Sequence, residues 1–413
     1  MHEKIVLLSI PVFVTLILVE LLVGLARGRN SYRVNDTINS LSLGSISQIL
    51  GVFLRLVRIG IYAWLLKHFA LFQLPVDSPW VWISGLLLYD FCYYWLHRMG
   101  HQVNLLWAAH VVHHQSEEFN LSTALRQTSS GPLLAWIFYV PLALLGYPVQ
   151  VFVVIGLIDL LYQFWVHTEH IGRLGWFDRV FVSPSNHRVH HGVNDVYLDK
   201  NYGGILILWD RLFGTYAEER ATEAPVYGTR KPLRSWNPLW ANFEVYQGMA
   251  ADAWRTRRWQ DKLRVWVARP GWRPTDLAAA APFDLRRSAY HPEMKRIEQV
   301  YCLAQLVILL IAGNHFVGSH QQLSLAQSCA YALWLCIGLI CVGAVMERRW
   351  HLLEAFRLGA TGIVIGCSGL WFGGVILPPA VQAAAIVTCT LSLVTLWTFK
   401  NPASGTHGYL SSQ

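Results

Sequence analysis

The strongest constraint on this chain is a succession of long apolar runs. A helix of about 20 apolar residues crosses the hydrocarbon core of a bilayer, and nine runs approach or exceed that length. They span residues 5–26, 47–73, 79–97, 132–146, 149–166, 298–317, 327–346, 356–375 and 378–398. Two are less regular, because 47–73 carries three basic residues and could lie in the interface, and 132–146 is short. With 54% of its 413 residues apolar and 14% charged, the chain is predicted to be all-α, a polytopic membrane helical bundle.

The placement of the basic residues predicts an orientation in the membrane. Twenty of the 33 Lys and Arg residues lie between 171 and 300, and basic residues concentrate in cytoplasmic loops. The loop Arg27–Arg33, the pair Arg348–Arg349 and Lys400 are also cytoplasmic if all nine runs cross. The net charge of +8 is therefore expected to meet anionic lipid head groups rather than nucleic acid. The expected location is a bacterial inner membrane or the endoplasmic reticulum.

Ten of the 17 histidines lie in four short clusters between residues 97 and 191. The clusters are HRMGH (His97, His101), HVVHH (His110, His113, His114), HTEH (His167, His170) and HRVHH (His187, His190, His191). Spacings of three and four place side chains on one face of a helix, so several imidazoles are expected to converge. All four clusters fall at the predicted cytoplasmic face.

Bound metal is the interpretation that best explains this density of histidine. A lone histidine near a membrane interface is usually a polar anchor, and the other seven, His2, His68, His291, His315, His320, His351 and His407, are given no chemical role. Clustered imidazolium ions repel each other and buried unpaired polar groups are costly, whereas a metal holds imidazoles neutral as ligands. The seven cysteines all lie in apolar runs without CxxC spacing, so thiolate ligands are not expected.

The identity of the metal is less constrained by the residues alone. Eight to ten imidazoles exceed the four ligands of a tetrahedral zinc ion and suit two ions. Imidazole binds iron, zinc, copper and nickel, so the ligand type leaves these open. HExxH is absent from the sequence, which argues against a zinc protease.

Three of the clusters, HRMGH, HVVHH and HRVHH in that order among apolar helices, resemble the histidine boxes of the fatty acid hydroxylase/sterol desaturase superfamily. The resemblance covers about residues 80–220 and includes YDFCYYWLHR, WVHTEHIG, SPSNHRVHHG and DKNYGGILILWDRLFGT. WAAHVVHHQSEEFNLSTALRQ is most similar to the alkylglycerol monooxygenases of that superfamily. The resemblance implies a non-haem site of two Fe ions, O2, a lipid substrate and an external electron donor, which for that branch is tetrahydrobiopterin.

The resemblance also implies the metal ligands and the division of the chain. The matching ligands are His97, His101, His110, His113, His114, His187, His190 and His191, with His167 as a ninth. His170 could equally be a ligand, a residue that supports one, or a surface residue. The predicted segments are N-terminal transmembrane helices at 1–78, the hydroxylase-like core at 79–220, a cytoplasmic polar segment at 221–297, and C-terminal transmembrane helices with a short tail at 298–413.

Polar residues next to the histidine clusters are candidates for supporting roles. Asp90 lies seven residues before His97 within an apolar run, where an acid is costly, so it is expected to orient a ligand imidazole or to bond a neighbouring helix. Asn186 could orient the fourth cluster or cap its helix. Glu118, Asn120 and Arg126 could line a substrate or reductant pocket. Asp210 and Arg211 are expected to form an ion pair.

The function predicted from these features is oxidation of a lipid C–H bond by O2, with a carbon next to an ether oxygen as the first expectation. Hydroxylation of an acyl chain or a sterol, or desaturation, is the alternative within the superfamily. An alternative of another class is a non-redox metal transporter. A transporter places its ligands near the bilayer midplane, whereas these clusters fall at helix ends.

Overall fold

The computed structural model describes residues 2–279, 282–349 and 351–399, and it is mostly helical. Lys400 and His407 lie outside the described residues. Four helical segments are long and apolar enough to cross a membrane, and three further apolar helices are shorter. The four are Val34–Leu54, Arg296–Gln322, Leu325–Met346 and Pro379–Thr398, and the three are Ile10–Ala26, Gly131–Leu144 and Val149–Trp165.

The helices of the N-terminal half surround the histidine clusters. They are α1 (His2–Ala26), α2 (Val34–Phe69), α3 (Pro79–Gln102), α4 (Asn104–Ala108), α5 (Val111–His114), α6 (Leu121–Ala124), α7 (Gly131–Ala135), α8 (Val140–Leu144), α9 (Val149–Trp165), α10 (Phe177–Val180), α11 (Pro184–His191) and α12 (Leu208–Leu212).

The C-terminal half contributes two helices near the centre and then a second helical bundle. They are α13 (Pro238–Arg255), α14 (Trp259–Val267), α15 (Arg296–Ser319), α16 (Leu325–Met346), α17 (His351–Ser368) and α18 (Pro379–Thr398). Between α17 and α18 lies a short antiparallel hairpin of β1 (Leu370–Trp371) and β2 (Val375–Ile376).

Helix α2 begins much earlier than the apolar run at 47–73 indicates. Its first turns carry Asn35, Asp36, Asn39 and Ser40, which make this part of the helix less apolar than the predicted run. These side chains are buried and hydrogen-bonded: Asn39 Nδ2, for example, donates to the Trp236 carbonyl at 2.7 Å. The early part of α2 is therefore a buried polar helix at the level of the histidine clusters.

Two of the predicted runs are interrupted. Run 132–146 is divided into α7, a 3₁₀ turn (Trp136–Tyr139) and α8, because Pro141 lacks the N–H that a continuous helix needs. The prediction of one helix over 356–375 is wrong in its second half. Helix α17 ends at Ser368, and Gly369, Gly373 and Gly374 adopt φ of 64°, 82° and 73°, which glycine tolerates and which produces the hairpin.

Close packing of α3 on α9 positions the metal centre. Gly85 leaves room for the α9 residues Val151 and Ile155, which would lie 3.1 and 3.0 Å from a Cβ at that position. Tyr62 of α2 stacks on Phe152 at 4.1 Å between ring centroids. Because α3 and α9 pack side by side, the histidines at their C-terminal ends lie close together.

A buried ion pair lies inside the C-terminal bundle. Arg357 donates from Nε and Nη2 to both carboxylate oxygens of Glu354, each at 2.7 Å, and the two side chains are 4% and 0% exposed. Tyr301 donates to the same carboxylate at 2.8 Å, and Gln305 accepts from Arg357 at 2.8 Å. This network links α15 to α17 within the apolar bundle.

Removing one partner of this pair should destabilise the bundle. Arg357→Ala leaves a buried carboxylate without its cation, which costs about 3–5 kcal/mol, and we expect the free energy of unfolding to fall by about that amount. The double variant Glu354→Leu/Arg357→Met removes both charges and should lose less. Chemical unfolding of the purified protein in detergent measures both, and equal losses would show that the charge pair is not the cause.

Candidate metal centre

Four short segments bring the predicted ligands together. His97 and His101 lie at the end of α3, His113 and His114 in α5 with His110 as its N-cap, His167 just after α9, and His187, His190 and His191 in α11. They form two groups, and within each group the ligand nitrogens lie within 4.8 Å of one another. The first group is His97, His101, His110, His114 and His190, and the second is His113, His167, His187 and His191.

The second group forms a closed ring of Nε2 atoms. The successive distances are 3.1 Å from His113 to His167, 3.0 Å to His187, 3.2 Å to His191 and 3.1 Å back to His113. The centre of a square with such sides lies about 2.2 Å from each nitrogen, close to the metal–imidazole distance of about 2.0–2.1 Å known for zinc. The ring is therefore the right size for one metal ion.

The first group is similar but has five members. Its Nε2 atoms lie 3.1 Å apart from His97 to His110, 3.1 Å from His110 to His114, and 3.2 Å from His114 to His190. The His101 ring lies 4.6 Å from that of His114 between centroids. The buried Nε2 of His101 has no hydrogen-bond partner among the described residues, which leaves it available as a fifth donor.

Backbone carbonyls fix the proton on the other nitrogen of four of these rings. The Nδ1 atoms of His97, His113, His167 and His190 lie 2.9, 3.1, 2.7 and 2.9 Å from the carbonyl oxygens of Tyr202, Arg126, Gln163 and Lys200. A carbonyl oxygen only accepts, so Nδ1 carries the proton and donates it. The Nε2 atom of each neutral ring therefore presents a lone pair to its group, as in metal-bound histidines.

The facing lone pairs of His113 and His167 fit a bound cation. His113 and His167 both donate from Nδ1, so their Nε2 atoms at 3.1 Å cannot hydrogen-bond to each other in the neutral form. Protonation does not relieve the contact, because burial lowers the pKa of His113 to about 4 and that of His167 well below the usual range of histidine. The donor set fits metal ions.

One loop supplies two of the carbonyls that orient the ligands. Asp199 and Asn201 adopt φ of 58° and 56°, and between them the Lys200 carbonyl faces His190. Asn201 donates to the carbonyl of Asn186 at 3.0 Å, which ties the loop to α11. The carboxylate of Asp210 accepts from the backbone N–H of Tyr202 at 2.8 Å, which holds the carbonyl of Tyr202 against His97.

Asp90 supports the centre differently from the first expectation. Its carboxylate accepts from the N–H groups of Ile205 and Leu206 at 2.7 and 3.1 Å and from Trp209 Nε1 at 2.9 Å. These three donors occupy the carboxylate oxygens, and among the described residues no imidazole hydrogen-bonds to them. Asp90 thus fixes the loop that contains Tyr202, and the expectation that it orients a ligand directly is corrected.

Gly204 allows this loop to lie close to Asp90 and Asp159. A Cβ at that position would lie 2.7 Å from Asp159 Oδ1 and 2.9 Å from Asp90 Oδ1, so a side chain there would force the loop outward.

The expected pair of Asp210 and Arg211 does not form, because Asp210 accepts from loop N–H groups while the Arg211 guanidinium stacks on Tyr216 at 3.8 Å.

Asn186 and Asn120 cap helices. Asn186 and Ser183 form a capping box at the start of α11, so the second of the two expected roles applies to Asn186. Asn120 caps α6, with Oδ1 accepting from the Ser122 N–H at 3.0 Å and Nδ2 donating to the Ser31 carbonyl at 2.6 Å. The capping bonds occupy the Asn120 side chain, which corrects its assignment to a substrate or reductant pocket.

Arg126 and Glu118 are also engaged by the protein itself. Arg126 is 1% exposed and donates to the Val112 carbonyl at 2.7 Å and to Asn39 Oδ1 at 2.8 Å. Its role is to hold the second histidine cluster, not to line a pocket. Glu118 forms a close ion pair with Arg33 and is partly exposed, so its assignment to a pocket stays a prediction.

His170 does not join the nine. Helix α9 ends at Trp165, so HTEH lies in a loop and its two histidines do not share a helix face. The Nε2 atom of His170 would lie 3.1 Å from a Cβ at Gly24 of α1, and it belongs to neither group of nitrogens. The structure places His170 against the first helix.

Glu20 of α1 is the supporting residue that sequence reasoning missed. It is 6% exposed and accepts from the N–H of Leu121 at 2.8 Å and from the hydroxyls of Tyr32 and Thr168. Thr168 follows His167, and Leu121 begins α6 just beyond the second cluster. An acid inside an apolar run is a functional signal, and it was present in the run at 5–26.

Comparison with known proteins identifies the family of this chain. Residues 82–215 match the family model described as fatty acid hydroxylase. Human alkylglycerol monooxygenase is 35% identical over 345 residues, which cover 82% of this chain and 77% of the human protein. The Danio rerio alkylglycerol monooxygenase is 36% identical over 361 residues, 86% and 80% of the two chains. No solved structure matches the chain.

A more distant relative shares only part of the core. An ornithine lipid hydroxylase of Rhizobium tropici is 31% identical over 142 residues, 32% of this chain and 41% of that protein.

Apolar helices and a histidine centre, together with the family match, define an integral membrane oxidoreductase of the fatty acid hydroxylase class. Within that class, the chain belongs to the alkylglycerol monooxygenase family.

The role of Glu20 leads to a stability and metal-binding prediction. Glu20→Ala leaves buried donors on Leu121, Tyr32 and Thr168 without an acceptor, at about 1–3 kcal/mol for each one. We expect a lower unfolding temperature and a lower metal content, whereas Glu20→Gln keeps an accepting oxygen and should lose less of both. Thermal unfolding and elemental analysis test this, and an unchanged metal content in Glu20→Ala would contradict the supporting role.

Proposed function

We propose that this protein uses O2 at a site of two iron ions to oxidise the carbon next to the ether oxygen of alkylglycerol-type lipids. The observation that carries the proposal is the division of nine imidazoles into two compact groups of nitrogen lone pairs. Each group holds one ion. Five nitrogens in the first group exceed the four ligands of tetrahedral zinc, and imidazole also suits iron.

Iron held by these imidazoles would supply the chemistry that reduces O2 and inserts one oxygen atom into a C–H bond. The protein keeps the site dry. Phe119 is 1% exposed and stacks on His167 and on Tyr227, and Val112 and Val189, between the ligands, are fully buried. Excluding water protects a strong oxidant from side reactions.

The substrate chemistry balances with an external two-electron donor. An ether R–CH2–O–R′ takes one oxygen atom of O2 to give R–CH(OH)–O–R′, while the other atom leaves as water with two electrons and two protons. The hemiacetal then loses its hydroxyl proton, the C–O bond breaks, and the oxygen of R′ takes a proton. The products are an aldehyde and a free alcohol.

The electron donor is taken from outside the chain. The sequence contains neither a Gly-rich dinucleotide motif nor a haem attachment motif, so the electrons come from outside. The resemblance to alkylglycerol monooxygenases implies a reduced pterin such as tetrahydrobiopterin as their source. The relatives that carry the name alkylglycerol monooxygenase support the ether substrate.

The depth of the centre supports the ether bond as its target. The ligands lie at the C-terminal ends of α3 and α9 and in short helices beyond them, which supports a position near the membrane surface. An ether bond lies just below a glycerol head group, whereas a mid-chain methylene would have to bend back. With the basic stretch at 171–300 in the cytoplasm, the centre faces the cytoplasmic side and the reductant reaches it from there. In this arrangement, 1–78 anchors the chain in the membrane and 79–220 is the core. The segment 221–297 is a polar cover, and 298–413 contains the second bundle.

The iron count tests the two groups separately. Protein purified without O2 under iron-replete conditions should hold two iron ions per chain. His113→Ala and His190→Ala each remove a donor from a different group, so each should lose about one ion and all turnover. His315→Ala and His351→Ala serve as controls and should match the wild type. Elemental analysis measures the count, and one ion per wild-type chain would contradict the two-ion site.

The substrate assignment has its own assay. Purified protein with iron, O2, a reduced pterin and an alkylglycerol should release a fatty aldehyde and consume the pterin, and His190→Ala should release none. Aldehyde is measured by trapping and mass spectrometry. Hydroxylation of an acyl chain or a sterol with another donor, and no aldehyde from the ether, would assign the protein to the alternative activity of the superfamily.

A further inference from the structure

Helices α13 and α14 leave a row of large apolar side chains uncovered. We call this row the aromatic face, and its members are Leu239, Phe243, Trp254, Trp259, Leu263 and Val267. In α14, Trp259, Leu263 and Val267 recur every fourth residue and are 79%, 75% and 65% exposed, while Trp254 at the end of α13 is 86% exposed. Contiguous exposed apolar surface of this kind marks a binding surface.

The opposite side of α14 is already packed, so the aromatic face is not an unfinished core. Asp261 and Val265 are 3% and 2% exposed, and Val265 packs with Ala108 and Met249. Helix α14 therefore presents its apolar row outward, with Arg264 exposed beside it, while its inner surface is committed to the fold. The outer surface needs an apolar environment of its own.

The helix pair lies level with the ends of the long apolar helices. Just before α13, the Trp236 carbonyl accepts from Asn39 in the first turns of α2, and the Trp236 N–H bonds to Glu347 at the end of α16. The C-terminal end of α14 meets the segment after α3, where Asn104 donates to the carbonyls of Val265 and Ala268 at 3.0 and 2.9 Å. Of these helices, α2 and α16 are apolar enough to cross a membrane, so we expect these ends at its surface.

Basic residues lie along the same helix pair. Arg255 and Arg257 are exposed at the turn between α13 and α14, and the Lys262 ammonium lies 5.6 Å from the ring centre of Trp259. Tryptophan next to arginine and lysine, on a helix with an apolar outer surface, is typical of helices that lie in the plane of a membrane interface. The charge complements anionic lipid phosphates.

We propose that the aromatic face is immersed in the head-group region of the bilayer, with anionic phospholipids bound at Arg255 and Arg257. A lipid surface fits better than a protein partner, because the row continues the membrane surface set by α2, α3 and α16. The contact also reaches the metal centre. Asn104, which bonds to α14, lies between His101 and His110, so the helix pair fixes the height of the first two histidine clusters above the acyl chains.

Photo-crosslinking tests the occupant directly. Leu263 is replaced with p-benzoylphenylalanine, and the metal-loaded full chain is reconstituted in vesicles of phosphatidylcholine and phosphatidylglycerol. After irradiation we expect phospholipid adducts at position 263, and none when the same residue replaces Thr222 in the exposed polar loop. Val307 of the long helix α15, which is 52% exposed, is the positive control.

The outcomes separate lipid from protein. Absence of a lipid adduct at 263 in a sample that gives one at 307 would overturn the proposal, and so would an adduct in native membranes only with another protein. The charge is tested by the composition of the adducts. Phosphatidylglycerol should be enriched severalfold over its share of the vesicle, and Arg255→Gln/Arg257→Gln should abolish that enrichment while Arg286→Gln leaves it unchanged. Equal enrichment in the double variant would overturn the assignment to these arginines.

Discussion

The fold depends on the close approach of nine imidazoles, whose ring nitrogens gather into two compact groups. Backbone carbonyls hold the Nδ1 protons of His113 and His167, so the Nε2 lone pairs of these rings face each other at 3.1 Å, an arrangement that a bound cation would stabilise. Helix packing, loop conformation and buried carboxylates all act to hold these rings in place. Burial of facing acceptors opposes folding unless positive charge lies between them.

Three layers of support follow from this constraint. Backbone carbonyls orient the rings, the loop from Asp199 to Asp210 orients two of those carbonyls, and Asp90 and Asp210 hold the loop through its N–H groups. The first helix adds Glu20, which joins the segments after the second and third clusters. The centre is therefore assembled from segments that lie far apart in the chain, and their relative positions are set by the packing of α3 on α9.

Sequence patterns predicted the helical class and the convergence of the histidines, and the comparisons confirmed the superfamily and the branch. Whether the nine imidazoles bind metal stays a prediction, although their geometry fits it. The sequence could not show that Asp90 bonds a loop 115 residues away, because such pairing depends on tertiary contact. Polar residues in the first turns of α2 made its start difficult to recognise from the sequence. Three glycines end α17 at a point where the apolar composition indicated that the helix continues. The sequence made Arg126 a candidate for a substrate or reductant pocket, yet the fold buries it, with 1% of its surface exposed.

The use of backbone carbonyls has a consequence for how the family can change over time. A carbonyl is present whatever the side chain, so position 200 can exchange Lys for many other residues without losing the bond to His190. The orientation of the His190 ring is therefore unaffected when the residue that supplies the carbonyl is substituted. We expect strict selection instead at positions that bend the chain or hold its N–H groups, such as Gly204 and Asp210. Relatives with different substrates could thus diverge widely around an almost unchanged set of ligand directions.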